Sequence, residues 1–340
     1  MLRLNILSLI GLLLLSIPAP VLSSMGQDAV EIMFSQEIVA IDSSGVRYEP
    51  VIIDPATMPG MTSQDFDLAR GRSLRIVTNL PAARQTGLQQ VARIVQRSYD
   101  FIEKRTGGTL DKGVLLYILE FETLPLSYRF EATYSTAAPW QEVRVVLLDQ
   151  GESLVGPSGS ADLAELLFDT LPHELTHDVL ADISPLLHDI DGEASHYTRW
   201  FIEGICELLA KEFAQHEAPA TLSRLLAMRN VDEVLGNPSV CNAIFSWAQQ
   251  NDNGMALESD LYGASMLLMM AWTETVDLPH LLARLNQCST PQCGLDLELL
   301  MEATTGSSRS EMVERARQIG AILLHSNYLV TRMAVDKQKG

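Results

Sequence analysis

The stretch Leu171-Pro172-His173-Glu174-Leu175-Thr176-His177 decides how the rest of this chain is read. On a helix, residues four apart lie one turn apart on the same face, so His173 and His177 can direct two imidazoles at one ion. Catalytic zinc takes three protein ligands at roughly 2.0–2.2 Å and leaves a fourth position for water, whose pKa falls to about 7. Two histidines supply two of the three ligands. Glu174 lies between them in sequence but cannot reach the ion they share. Its carboxylate is therefore free to take a proton from water and later deliver it to a leaving group. The string has only three fixed letters, and a solvated helix face carries the same letters in proteins that bind no metal.

A second segment shifts the balance. Glu203 follows His177 by 26 residues, inside Thr198-Arg199-Trp200-Phe201-Ile202-Glu203-Gly204-Ile205-Cys206-Glu207-Leu208-Leu209-Ala210. The pattern predicts a helix with Glu203 and Glu207 one turn apart on one face. One carboxylate can ligate the ion while the other accepts a hydrogen bond from the far nitrogen of a ligating histidine. The alternative is a surface helix with two solvated glutamates. Gly204 argues against it, because a mid-helix glycine costs about 1 kcal/mol relative to alanine and marks the close approach of another backbone. The expected neighbour is the His173–His177 helix.

The HELTH string at 173–177 and the run from Trp200 to Glu207 resemble the gluzincin metallopeptidases, the group containing thermolysin and the zinc aminopeptidases, and in particular their compact peptidase MA-like bacterial members. The resemblance implies His173, His177 and Glu203 as ligands of one zinc per chain, Glu174 as general base, and Glu207 behind a ligand. It also implies an oxyanion role for Tyr262, at the polar start of the apolar run Asp260 to Trp272. Arg199 and His196 are rivals for that role, and a half-buried amphipathic tyrosine at a helix end is the plain alternative. The activity implied is hydrolysis of a peptide or protein substrate. Two other readings stay open: a catalytically degenerate zinc-binding or scaffolding module, and a zinc amidase acting on a cell-wall amide.

The chain departs from the family pattern twice. The segment between His177 and Glu203 is longer than in the aminopeptidases and carries His188, Asp189, Asp191, Glu193 and His196, which could cap the site, set specificity or supply a rival ligand. Cys206 stands where the family has alanine, a small-for-small exchange that reads as packing.

At 340 residues with 47% hydrophobic content, the chain is long enough for one large or two modest domains and too apolar for disorder. Met1 to Ser23 shows the basic start, apolar run and small-residue end of a secretory signal, so export with cleavage after Ser23 or Ser24 is expected. Pro18 and Pro20 end the apolar run short of the roughly 20 residues of a spanning helix, and no stable membrane insertion is expected after cleavage. Loss of Arg3 takes the formal charge from −19 to −20. So acidic a surface disfavours nucleic acid and anionic membranes as partners. Four cysteines in an exported chain allow three pairings. Cys288 with Cys293 is the favoured bridge, and Cys206 and Cys241 form a second bridge or stay as thiols.

The remaining patterns predict an α+β fold. Residues 24–72 read as an irregular β leader. Residues 73–160 read as an α/β subdomain: strands at Ser73–Asn79, Val114–Phe121 and Val143–Leu148, with an amphipathic helix between Thr86 and Arg105. Its stripe is Leu88, Val91, Ile94, Val95, Tyr99 and Ile102. Residues 161–340 read as a mostly helical subdomain that carries both motif segments. Together these form a small mixed sheet with helices followed by a helical half, which is the zincin-like arrangement, with the active site expected in the cleft between them.

Overall fold

The strands are β1 (Ile32–Ser35), β2 (Pro50–Ile52), β3 (Thr62–Asp67), β4 (Ser73–Thr78), β5 (Gly113–Glu120), β6 (Glu131–Tyr134) and β7 (Trp140–Leu148). The computed structural model describes residues 32–35, 50–52, 60–120, 131–134, 140–149, 153–156, 159–183, 187, 195–227, 244–247, 258–286 and 296–325. The signal-like segment, Cys241, Cys288, Cys293 and the stretch His188 to Glu193 lie outside the described residues, as does the side chain of His196. Among the described residues no helix is long and apolar enough to cross a membrane.

The fold is α+β, a small mixed sheet followed by a mostly helical region. Four strands lie in the order β3-β4-β5-β7, with β4, β5 and β7 parallel and β3 antiparallel to β4. β5 reads Gly-Val-Leu-Leu-Tyr-Ile-Leu-Glu and is buried at every position. A continuous apolar run is what a strand needs when it has a neighbour on both edges and cover on both faces. β3, Thr-Ser-Gln-Asp-Phe-Asp, is polar and largely exposed, as suits an edge strand, so the sheet begins earlier than the apolar pattern places it. Asn79 ties the ends of β4 and β5 together, its side chain accepting from the Glu120 amide at 2.7 Å and donating to the Glu120 carbonyl at 3.1 Å. β1 pairs antiparallel with β2 and β6 in a separate sheet.

The helices are α1 (Ala82–Gln85), α2 (Leu88–Thr106), α3 (Ala161–Glu165), α4 (Leu171–Ile183), α5 (Ser195–Glu217), α6 (Pro219–Ala227), α7 (Glu258–Thr273), α8 (Leu278–Asn286), α9 (Leu297–Thr305) and α10 (Arg309–His325). All six stripe residues of α2 are buried. A π-helical turn, Leu166–Thr170, joins α3 to α4, with the Leu171 amide bonding the Leu166 carbonyl. The chain groups into two compact units, Met1–Arg93 with Asp111–Leu163, and Ile94–Leu110 with Ala164–Gly340.

Within the second unit, α5 is buried along almost its whole length. Arg105 on α2 grips Glu212 on α5 with both arms, at 2.8 and 3.2 Å. Trp200 and Phe201 on α5 meet Trp272 on α7 at ring-centroid distances of 6.2 and 5.5 Å. Met266, Met269 and Met270 on α7 are core residues.

Gly204 does mark a close backbone approach, but to α7 and not to the His173–His177 helix. A Cβ there would lie 2.7 Å from the Ser265 carbonyl oxygen and 2.6 Å from Met269 Cγ. The reason is helical phase: Glu203 faces the histidines, and the next residue points about 100° further round the axis, toward a different neighbour. Gly204→Ala must push α5 and α7 apart and is expected to destabilise the protein by about 1–3 kcal/mol, read as a lower urea midpoint. A midpoint equal to wild type would show that the two helices yield without cost.

Candidate metal centre

α4 and α5 face each other through two rows of side chains at i,i+4 spacing. Along α4 and the turn before it the row is Asp169, His173, His177; along α5 it is Glu203, Glu207, Lys211. The rows pair in antiparallel order: His177 meets Glu203, His173 meets Glu207, and Asp169 meets Lys211. A helix rises about 6 Å in four residues, so such rows form three successive rungs.

Three atoms converge at the outer rung. Nε2 of His173 and Nε2 of His177 are 3.0 Å apart, and Glu203 Oε2 lies 3.2 and 3.3 Å from them. Ligands held roughly 2.0–2.2 Å from a tetrahedral zinc stand about 3.3–3.6 Å from one another, so this triangle has nearly the size of one face of such a site. Glu203 is only 3% exposed, and its Oε2 makes no hydrogen bond. A buried carboxylate oxygen aimed at two imidazole nitrogens needs a cation or protons among them. The donor set, two imidazoles and one carboxylate, suits zinc. The residues therefore fit a metal.

The electrostatics point the same way. Burial disfavours an imidazolium at His173, but the carboxylates of Glu203 and Glu207 outweigh it and raise its pKa to about 10. Burial opposes the charge at His177 too, yet Glu203 overcomes it, with Glu174 and Asp178 adding, and the pKa is again raised. Glu203 is pushed up by burial but held well below the usual carboxylate range by the two imidazoles.

Glu174, half-buried, projects from the first turn of α4. Glu207, with no exposure, places Oε1 3.1 Å from His173 Nδ1, an ion-pair approach. Its Oε2 accepts from Lys211 Nζ at 2.7 Å, and the same ammonium donates to Asp169 at 2.5 Å. The Tyr262 ring on α7 lies 6.0 Å from the His173 ring and edge-on to Trp247 at 4.9 Å. The Arg199 guanidinium stacks over Trp247 at 4.7 Å, with Nε 3.6 Å from Glu203 Oε1. Cys206 is buried, and its sulfur and the two histidine nitrogens lie within 4.8 Å of one another. Burial keeps its thiol well above its ordinary pKa.

Motif reading stops at Glu207. Lys211, Asp169 and Trp247 are neighbours that it does not reach, although Asp169 and Lys211 merely extend each i,i+4 row by one turn. Trp247 stands in a short helical turn, Ile244–Ser246 and the next residue, with no sequence signal linking it to the histidines.

No family model matches the chain, and no curated protein matches it. A solved structure, that of the aminopeptidase N family protein from Idiomarina loihiensis, is similar with a TM-score of 0.45 and 13% identity, over 75% of this chain and 46% of that one. The chain thus spans less than half the length of that neighbour.

A proton and a metal ion compete for the same imidazoles. Because the His173 pKa is raised from 6.5 to about 10, that residue keeps its proton across this range and must release it to take a metal. Zinc uptake is expected to expel protons, and its apparent affinity to rise as pH rises through that window. Calorimetric titration at about pH 8 in two buffers of different ionisation enthalpy reads the release directly. Uptake without proton exchange would show that both imidazoles are already neutral.

Proposed function

We propose that this chain is a zinc-dependent metallopeptidase that works after export. One observation carries the reading: the triangle of His173 Nε2, His177 Nε2 and Glu203 Oε2, with edges of 3.0, 3.2 and 3.3 Å and a buried oxygen that makes no hydrogen bond. These three residues would hold one zinc. When bound, zinc supplies a Lewis acid that polarises a carbonyl and makes water a nucleophile near neutral pH.

The chain's own groups do the rest. Glu174, one residue from His173 on α4, takes the proton that water gives up on attacking a peptide carbonyl and returns it to the departing amine. Tyr262, whose ring is fixed against Trp247, offers its hydroxyl to the developing oxyanion. Arg199, stacked over Trp247, flanks Glu203 and keeps that carboxylate turned inward. Peptide or protein is the substrate. Export rests on Met1 to Ser23, and the formal charge of −19 makes nucleic acid and anionic membranes unsuitable partners.

A second reading, a zinc-binding module without catalysis, is favoured by one feature, the Cys206 sulfur within 4.8 Å of both imidazole nitrogens. A fourth protein ligand would close the position that water needs.

Metal analysis and peptide turnover on four proteins separate the readings. Wild type is expected to hold about one zinc per chain and cleave a peptide library, while His173→Ala loses the metal. Glu174→Gln should keep the zinc and lose turnover by a factor of at least about 100. Cys206→Ala should keep both; if it instead loses zinc, the closed site is correct. Normal peptide cleavage by E174Q would rule out the assigned base.

A further inference from the structure

We infer that Lys211, anchored by Asp169, is a positioning residue of the candidate metal centre, acting on His173 through Glu207; this rests on the zinc reading above. The inference starts from a side chain that has no place in an apolar core. Lys211 is fully buried. A lysine in that setting must be compensated, and its Nζ donates to Asp169 Oδ1 at 2.5 Å and to Glu207 Oε2 at 2.7 Å.

Charge balance alone would need only one carboxylate. The second points elsewhere: Glu207 uses one oxygen for Lys211 and turns the other to within 3.1 Å of His173 Nδ1. An imidazole that gives Nε2 to a metal carries its proton on Nδ1, and an acceptor there fixes both tautomer and ring plane. Oε1 of Glu207 faces that nitrogen at 3.1 Å, an ion-pair contact that falls short of hydrogen-bond geometry. What holds Glu207 in this rotation is Lys211, and what holds Lys211 is Asp169, on the π-helical turn that leads into the histidine helix. The chain of contacts leaves α4, crosses to α5 and returns to the π-helical turn just before α4. It therefore fixes His173 relative to the helix that supplies Glu203.

A filler lysine and a positioning lysine differ in what their loss does to the metal. The test is a double-mutant cycle on the full chain with Lys211→Met and Glu207→Gln, reading zinc dissociation constants by chelator competition, with circular dichroism confirming the fold. K211M is expected to weaken zinc by about 10- to 100-fold, the range seen when partners behind metal ligands are removed. In the E207Q background the same change should cost less than about threefold, because the route to His173 is already cut. If K211M does not fold, Asp169→Asn takes its place, with a several-fold loss expected in wild type and none in E207Q. Wild type that binds zinc with K211M equally tight overturns the positioning role alone, as does an equal loss in both backgrounds. Wild type that binds no zinc overturns the metal reading, and this inference with it.

Discussion

The ion pair of Lys211 with Asp169 and Glu207 is the interaction on which the helical unit depends, because it lets α4 and α5 bury a row of charges face to face. Taking an ion out of water costs several kcal/mol, and removing one partner of a buried pair commonly costs about 3–5 kcal/mol. Each carboxylate in the rows stands within 3.3 Å of an imidazole or an ammonium. The apolar residues around them serve the same end. Trp200, Phe201 and Trp272 keep water from the back of α5, and the close approach at Gly204 seals α5 against α7.

The π-helical turn reconciles two demands on the segment before the histidines. Proline has no amide hydrogen and breaks the hydrogen-bond ladder of a helix interior. Pro172 follows directly on the π-helical turn, where the hydrogen-bond ladder is already shifted and the Leu171 amide bonds the Leu166 carbonyl. The same turn presents Asp169 inward, buried, four residues before His173. The proline that makes the string an awkward helix interior thus coincides with the place where the helix changes its winding.

Much of this was legible in the residues because period and chemistry coincide there. The i,i+4 spacing of His173 with His177 and of Glu203 with Glu207 needs only a helix to become two facing rows, and the α2 stripe needs only a core. β5 and β7 announce themselves as apolar runs. β3 does not, since a polar edge strand has almost no pattern to read: Phe66 is its single large apolar residue. Gly204 gave the fact of a close approach but not the partner, because a glycine has no side chain to say which way it faces. Lys211 is hidden for the opposite reason, since a lysine in a helix reads as solvated until the carboxylates around it are known.

The two histidines are not equally supported, and the asymmetry follows from the antiparallel register. His173 sits on the middle rung, with Glu203 on one ring nitrogen and Glu207 facing the other. His177 sits on the last rung, where α5 supplies only Glu203. Ordering a side chain costs up to about 1–2 kcal/mol, and metal affinity reflects only what exceeds that cost. For His173 the cost is met on folding, when Glu207 is locked by Lys211. For His177 the remaining restraint comes from its own helix, where Thr176 bonds the Pro172 carbonyl at 2.8 Å and Val179 and Leu180, further along, are buried. The histidine behind which the sequence stacks three charged residues is therefore the one that sets the frame, and the other completes it.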